Sequence, residues 1–187
     1  LLAADRVCAQ LASQYGGANP HLEGDDRVGG AYLLAVVVRR KGQPGRHYRL
    51  ANAADYRALA RAFARVPRGA HQPAVTAGFP DEPLPSPSGK GYSNDGLYYK
   101  FFPVVRYGLR TWGDFFSGRQ NLALASIARH IARASRELPA LLLALGKLVD
   151  LANTFCPWEP IAECPRNVLS NGRVKPSWSF AEAVPIG

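Results

Sequence analysis

Methionine is absent from all 187 residues, and cysteine occurs only three times. An odd and small cysteine count argues against a secreted scaffold stapled by disulfides. No run of about eighteen uncharged apolar residues occurs, so no membrane-spanning helix is expected. The most apolar stretch, Leu138 to Leu151, is interrupted by Lys147 and Asp150 and reads as a core helix. Acidic residues are scarce, 14 against 23 Lys and Arg, and the net charge is +9. Neither an internal repeat nor a low-complexity tract is present. A start at Leu1 with no methionine reads as an internal segment of a longer cytoplasmic chain; removal of a signal peptide is the other source of such a start.

Signatures of catalysis are missing as well. No serine or cysteine sits in a nucleophile elbow. Gly16-Gly17 and Gly29-Gly30 are not preceded by strand signals, so neither reads as a nucleotide-binding turn. Residues 17–30 are turn-rich and acidic, with Glu23, Asp25 and Asp26, but lack the alternating ligands and terminal Glu of a calcium loop. Cys156 and Cys164 are spaced more widely than the paired ligands of zinc sites. No catalytic, cofactor-binding or metal-ligating residue is therefore expected in this chain.

The positive charge is concentrated. Residues 39–68 hold nine Lys and Arg against the single acid Asp55. Such a block attracts polyanions, nucleic acid first among them; an Arg-rich solvated surface is the plainer reading. Within it, Asn52 and Asp55 make a capping-box-like pattern opening a helix to about Val66. Tyr56, Leu59, Ala60 and Phe63 form its apolar side, and Arg57, Arg61 and Arg65 recur every four residues on one face. Like charges at that spacing repel by a few tenths of a kcal/mol, roughly. Such a stripe is either merely exposed or faced by something acidic.

The pattern predicts an α+β chain. Residues 2–15 read as a short helix. Ala31 to Arg40 reads as a strand buried on both faces, turning at Lys41 to Gly45 into a second strand over His47 to Leu50. After the Arg-faced helix, Pro67 to Gly91 forms an extended Pro-rich linker. Tyr92 to Tyr107 interleaves aromatics with Lys100 and Arg106, which suits either base stacking or a packed strand. Ser117, with Gln120 three residues on, caps a long helix. Leu124, Ile127, Ala128, Ile131 and Leu138 mark its buried side, and Arg129, Arg133 and Arg136 share another. Pro139 opens a second helix, completing a helical pair. Three regions follow: 1–66, the linker 67–91, and 92–187, which ends in extended and turn-like pieces.

Three blocks within this pattern carry a resemblance. They are TWGDFFSGRQ (Thr111 to Gln120), ANTFCPWEP (Ala152 to Pro160) and WSFAEAVPIG (Trp178 to Gly187). In order, they resemble the middle of a family of large adenine-specific DNA methylases that carry an inserted zinc ribbon and a domain of unknown function. PDEPLP (Pro80 to Pro85) is a further landmark, and the likeness runs from about Ala31 to Gly187. The matched motif residues are Trp112, Asp114, Arg119, Gln120, Trp158, Trp178 and Glu182. Gly118 stands where the family has Pro, and Ser179, Val184 and Ile186 where it has Asp, Asn and Phe.

The resemblance implies a segment inserted between two halves of an S-adenosylmethionine-dependent methyltransferase. In that family the cofactor loop lies upstream and the Asp-Pro-Pro-Tyr motif downstream, and this chain has neither. S-adenosylmethionine is thus implied for the full-length protein and not for this chain alone. The implied partners are DNA and the remainder of the methyltransferase, with no membrane, in restriction-modification or phage defence. Arg57, Arg61, Arg65, Arg129, Arg133 and Arg136 are then the expected phosphate contacts. Trp112, Arg119 and Gln120 would lie near the junction with the catalytic core. Trp112 and Trp158 read as packing residues, and Gln120 equally as a helix cap. The alternative is a non-enzymatic nucleic-acid-binding or protein-interaction module.

Overall fold

A computed structural model describes residues 19–24, 26–65, 80, 82–84, 104, 109, 111–133, 138–169, 174 and 179–184. The helix expected over 2–15, most of the linker, the aromatic segment apart from Val104, the side chains of Phe63 and Leu138, Arg136 and Trp178 lie outside them.

The described part is mixed α+β, with three small antiparallel hairpins and three α-helices. Strands β1 (Pro20–Glu23) and β2 (Asp26–Gly30) pair with a bulge between His21 and Leu22. This corrects the purely turn-like reading of residues 17–30. Glu23 and Asp26 are paired strand ends, and Gly24 between them adopts φ 61° where the chain reverses.

The hairpin of β3 (Val36–Val38) and β4 (His47–Arg49) forms at the expected turn, with Val37 opposite Tyr48. Its ladder is shorter than expected, and burial on both faces does not occur. Tyr32 and Leu34 are 63% and 68% exposed and Val36 to Val38 only half-buried. Among the described residues no third strand pairs with this hairpin, so much of it stays open to water.

Helix α1 (Ala53–Ala64) begins as its sequence dictates. Asn52 Oδ1 accepts from the amides of Ala54 and Asp55 at 3.0 and 3.3 Å, and Asp55 Oδ2 accepts from Asn52 N at 2.9 Å. The reciprocal cap satisfies amides that the first turn leaves free, worth about 1 kcal/mol. Asp55 also receives both Arg49 nitrogens at 2.7 and 2.8 Å. The Arg49 guanidinium, helped by the Asn52 amide, holds the Asp55 carboxyl down at about 2.

Helix α2 (Gly118–Arg133) opens on a second reciprocal cap. Ser117 Oγ accepts from Gln120 N at 3.3 Å, and Gln120 Oε1 accepts from Ser117 N at 2.9 Å, all buried. Leu124 and Ile131 face the interior as expected, while Ile127 and Ala128 are only half-buried. Helix α3 (Leu138–Leu151) packs on α2. It is not the core helix its composition suggests, since Leu142 and Leu143 are 51% and 78% exposed and Asp150 is its one buried residue among those described. Hydropathy sets a preference for burial, and the described residues offer that face no partner element.

The hydrophobic cluster lies beside α3's C-terminus instead, among Leu84, Val104, Phe115, Phe155, Cys156 and Val168. Leu84 belongs to the expected linker. That segment's described part is extended, but it is docked: Pro83 bridges Thr111, and Trp112 N donates to Glu82 O at 3.1 Å. Strands β5 (Trp158–Glu159) and β6 (Cys164–Pro165) close the described fold. None of the described helices is long and apolar enough to cross a membrane.

Candidate functional site

The three sequence blocks, far apart in the chain, converge on one hub. The Phe115 carbonyl accepts two hydrogen bonds from Thr154, from its amide at 2.8 Å and its hydroxyl at 2.9 Å. The Phe115 and Phe155 rings meet edge-on at 4.9 Å. Ala181 N donates to the Cys156 carbonyl at 2.7 Å, and Arg119 Nε donates to Glu182 Oε1 at 2.9 Å. The first block thus holds the second through Phe115 and the third through Arg119.

Most of the motif residues are engaged within this hub. Asp114 accepts from Thr111 N at 2.8 Å and shapes the 3-10 turn Trp112–Phe115. The Trp112 ring lies 5.3 Å from Phe115, tilted by 58°. Trp158 stands edge-on to Tyr48 at 6.2 Å, joining the second block to the β3–β4 hairpin. Gln120 is 97% buried, and its Nε2 has no partner among the described residues. Trp178 lies outside the described residues.

Several residues that hold the hub carry no assignment from the sequence. Asp150 Oδ1 accepts from the amides of Val168 and Leu169 at 2.9 and 2.8 Å, and Oδ2 accepts from Lys147 at 3.3 Å. Burial pushes the Asp150 carboxyl up, but the Leu169 and Val168 amides with Lys147 outweigh it and hold it below the usual carboxylate range. An acid near a helix C-terminus opposes the helix dipole and needs such donors, which is the signal the sequence does carry. Asn153 donates to the Val149 carbonyl at 2.9 Å and accepts from Phe155 N at 3.0 Å, capping α3. The fully buried Cys156 thiol donates to the Asp150 carbonyl at 3.4 Å, and burial pushes that thiol up. Buried and protonated, it is a packing group, not a nucleophile.

On the other side of the hub, Glu163 accepts from the Tyr48 hydroxyl at 2.7 Å and from Arg46 at 3.3 Å. Glu163 adopts φ 47°, a left-handed conformation costing roughly 1 kcal/mol, at the turn between β5 and β6. Its two side-chain bonds hold the turn in place.

The arginine stripes fall outside the hub. Arg61 on α1, Arg65 just past its end, and Arg129 and Arg133 on α2 are exposed. Arg57 is half-buried and already engaged, so it departs from the uniform exposed stripe. Helices α1 and α2 pack together and leave a groove of about 470 Å³ between them. Ala62, Leu122, Ala123 and Ile127 form its apolar floor, with Arg119, Ser126 and His130 completing the lining. Arg129 donates to Ser126 Oγ at 3.2 Å and so stands at the rim. Arg65 follows the end of α1, three residues after Ala62, and Arg133 lies one helical turn beyond His130. Two cationic rims thus flank an apolar floor.

Gly29 and Gly30 do end a strand, contrary to the sequence reading. That strand belongs to an antiparallel hairpin and continues into irregular residues 31–35, not into a helix. The strand that does lead into a helix, β4 into α1, turns through Leu50, Ala51 and Asn52 with no glycine, so the described residues lack the glycine-rich strand–turn–helix that would fit S-adenosylmethionine. No three His, Cys, Asp or Glu side chains among them converge on a point suited to a metal ion. Compared with protein-family models, curated proteins and solved structures, the chain matches none.

Proposed function

We propose that this chain is a DNA-contacting and scaffolding segment of an S-adenosylmethionine-dependent, adenine-specific DNA methyltransferase, lying between its cofactor loop and its amine-binding motif. The observation that supports this reading is the hub. Blocks that resemble the family in order along the sequence are bonded to one another in space, as expected of a shared architecture. The role assigned to the arginines draws on charge and exposure. Arg61, Arg129 and Arg133 are exposed on packed helices and Arg65 is exposed just past the end of α1, where phosphates can reach them. The protein would act in the cytoplasm, in restriction or phage defence, with cofactor and catalytic groups supplied outside this chain.

The test is binding to a labelled DNA duplex across a salt series, with and without S-adenosylmethionine. Binding should weaken with salt and ignore the cofactor. Charge reversal at Arg61 and Arg133 should flatten the slope by about one unit per lost contact. Unchanged affinity and slope in both variants would refute the phosphate contacts. A second reading, a non-enzymatic interaction module, is favoured by the exposed Leu142 and Leu143. Duplex binding by the isolated chain with no methylation after the missing motifs are supplied would favour it.

A further inference from the structure

Phosphate contacts need only the arginine rims of the α1–α2 groove and leave its floor unexplained. Ala62, Leu122, Ala123 and Ile127 line an open cleft with little polar surface, and the one aromatic ring in its lining, His130, stands at an end of it and not on this floor. A phosphodiester backbone gains nothing from such a floor. An apolar strip does, because its burial contributes about 25 cal/mol per Å² removed from water. The rims set the charge of whatever carries that strip. Arg61, Arg129 and Arg133 are exposed on the two helices and Arg65 directly after α1, and no acid lines the groove among the described residues.

We infer that the groove is a docking site for an acidic amphipathic helix of a protein partner, its apolar stripe on the floor and its carboxylates against the rims. The dimensions suit this occupant. The lining on α2 runs from Arg119 to His130, roughly 17 Å along the axis, which matches about three helical turns. Small residues at Ala62 and Ala123 let a helix backbone approach closely, in the groove mode of helix recognition. Negative flanks are selected by the rims, so a neutral or basic helix of the same apolar pattern is excluded. Because the same arginines are the phosphate contacts proposed above, the helix and DNA compete; that competition alone depends on the methyltransferase reading.

The experiment uses the whole chain and a fluorescein-labelled peptide of about four turns. The peptide carries Leu on one stripe, at i, i+3, i+4 and i+7, and Glu elsewhere. Fluorescence anisotropy should show saturable binding. A scrambled peptide of the same composition, which keeps the charge and loses the stripe, should bind about tenfold or more weakly. Ala123→Trp fills the floor and Ala62→Glu places an acid in it, from opposite helices; each should weaken the peptide by about tenfold or more while circular dichroism stays native. Should one variant fail to fold, the other and the scrambled peptide still decide. Equal binding of the scrambled peptide reduces the effect to bulk charge and overturns the inference. So does unchanged peptide affinity in folded Ala62→Glu, and if that variant instead loses duplex DNA, the occupant is nucleic acid. Absence of duplex binding by the unaltered chain refutes the DNA reading alone and leaves the peptide comparison intact.

Discussion

Removing the Asp150 carboxylate should unfasten the strap formed by residues 166–169. Its Oδ1 accepts from the amides of Val168 and Leu169 at 2.9 and 2.8 Å. Val168 is 8% exposed and belongs to the hydrophobic cluster, whereas Leu169 is 63% exposed. In Asp150→Ala the Leu169 amide can turn to water, at a loss of about 1 kcal/mol. The Val168 amide is buried and keeps only the Asp150 carbonyl at 3.3 Å, so it is left nearly unsatisfied, at a cost of about 1–3 kcal/mol. Lys147 is 63% exposed and adds little. The expected loss is about 2–4 kcal/mol. Asp150→Asn keeps one carbonyl oxygen for both amides and should lose about half as much. Urea unfolding followed by circular dichroism measures both variants. The pH dependence has a definite sign. A carboxyl whose folded value is lowered stabilises above its unfolded value of about 4 and loses that contribution as pH falls through the folded value. The gap between wild type and Asp150→Asn should therefore shrink on acidification below about pH 4. An Asp150→Ala variant within about 0.5 kcal/mol of wild type would refute the strap.

Arg49→Gln should raise the Asp55 carboxyl from about 2 toward its ordinary value, read by NMR titration. In the wild type, Asp55's contribution to stability is complete above about pH 4 and lost as pH falls toward 2; in the variant that acid-sensitive window should narrow. A Cβ on Gly113 would stand 2.7 Å from the Pro80 carbonyl oxygen, a backbone atom. Gly113→Ala should therefore destabilise by about 1–3 kcal/mol in thermal unfolding. Gly146, inside α3, has open space where a Cβ would stand, with no atom within 4 Å, and should behave oppositely. Gly146→Ala should stabilise by about 0.5–1 kcal/mol through helix propensity.

What can be read from the sequence is local. The Asn52–Asp55 and Ser117–Gln120 caps are four-residue patterns, and both form with their reciprocal bonds. The turn at Lys41 to Gly45 sets the β3–β4 hairpin for the same reason. The hub's fastenings are not local. Thr154 reaches back 39 residues to Phe115 and Tyr48 reaches 115 residues to Glu163, and no spacing rule connects such positions. The errors share one cause. Ala31 to Arg40 and Leu138 to Leu151 read as buried because they are apolar. Periodicity and hydropathy report what a segment favours, while burial also needs a second surface; Leu138 to Leu151 finds one on α2 for one face only and leaves Leu142 and Leu143 open, and Tyr32 and Leu34 stay exposed as well. Conversely, the linker's Leu84 is buried because Glu82 and Pro83 pair beside Thr111.

The distribution of used and unused charge separates two duties in the molecule. Arg119 is paired with Glu182, whose side chain is 15% exposed, and Asp114 accepts from the Thr111 amide. Those motif residues are committed to holding the hub and have little left to offer a ligand. Arg61, Arg65, Arg129 and Arg133 lie outside the three blocks and on exposed faces. A resemblance carried by the blocks would thus reflect shared architecture, and contact with a partner would fall to residues outside them. The two sets should separate under mutation. Glu182→Gln should weaken the fold, by about 1 kcal/mol for a partly exposed charge-assisted pair, and leave the salt slope of any DNA binding unchanged. Arg61→Glu should do the reverse, because an exposed helix position tolerates the change within about 0.5 kcal/mol. A Glu182→Gln variant of native stability whose salt slope nonetheless changes would place the motif residues in the contact surface and remove the distinction.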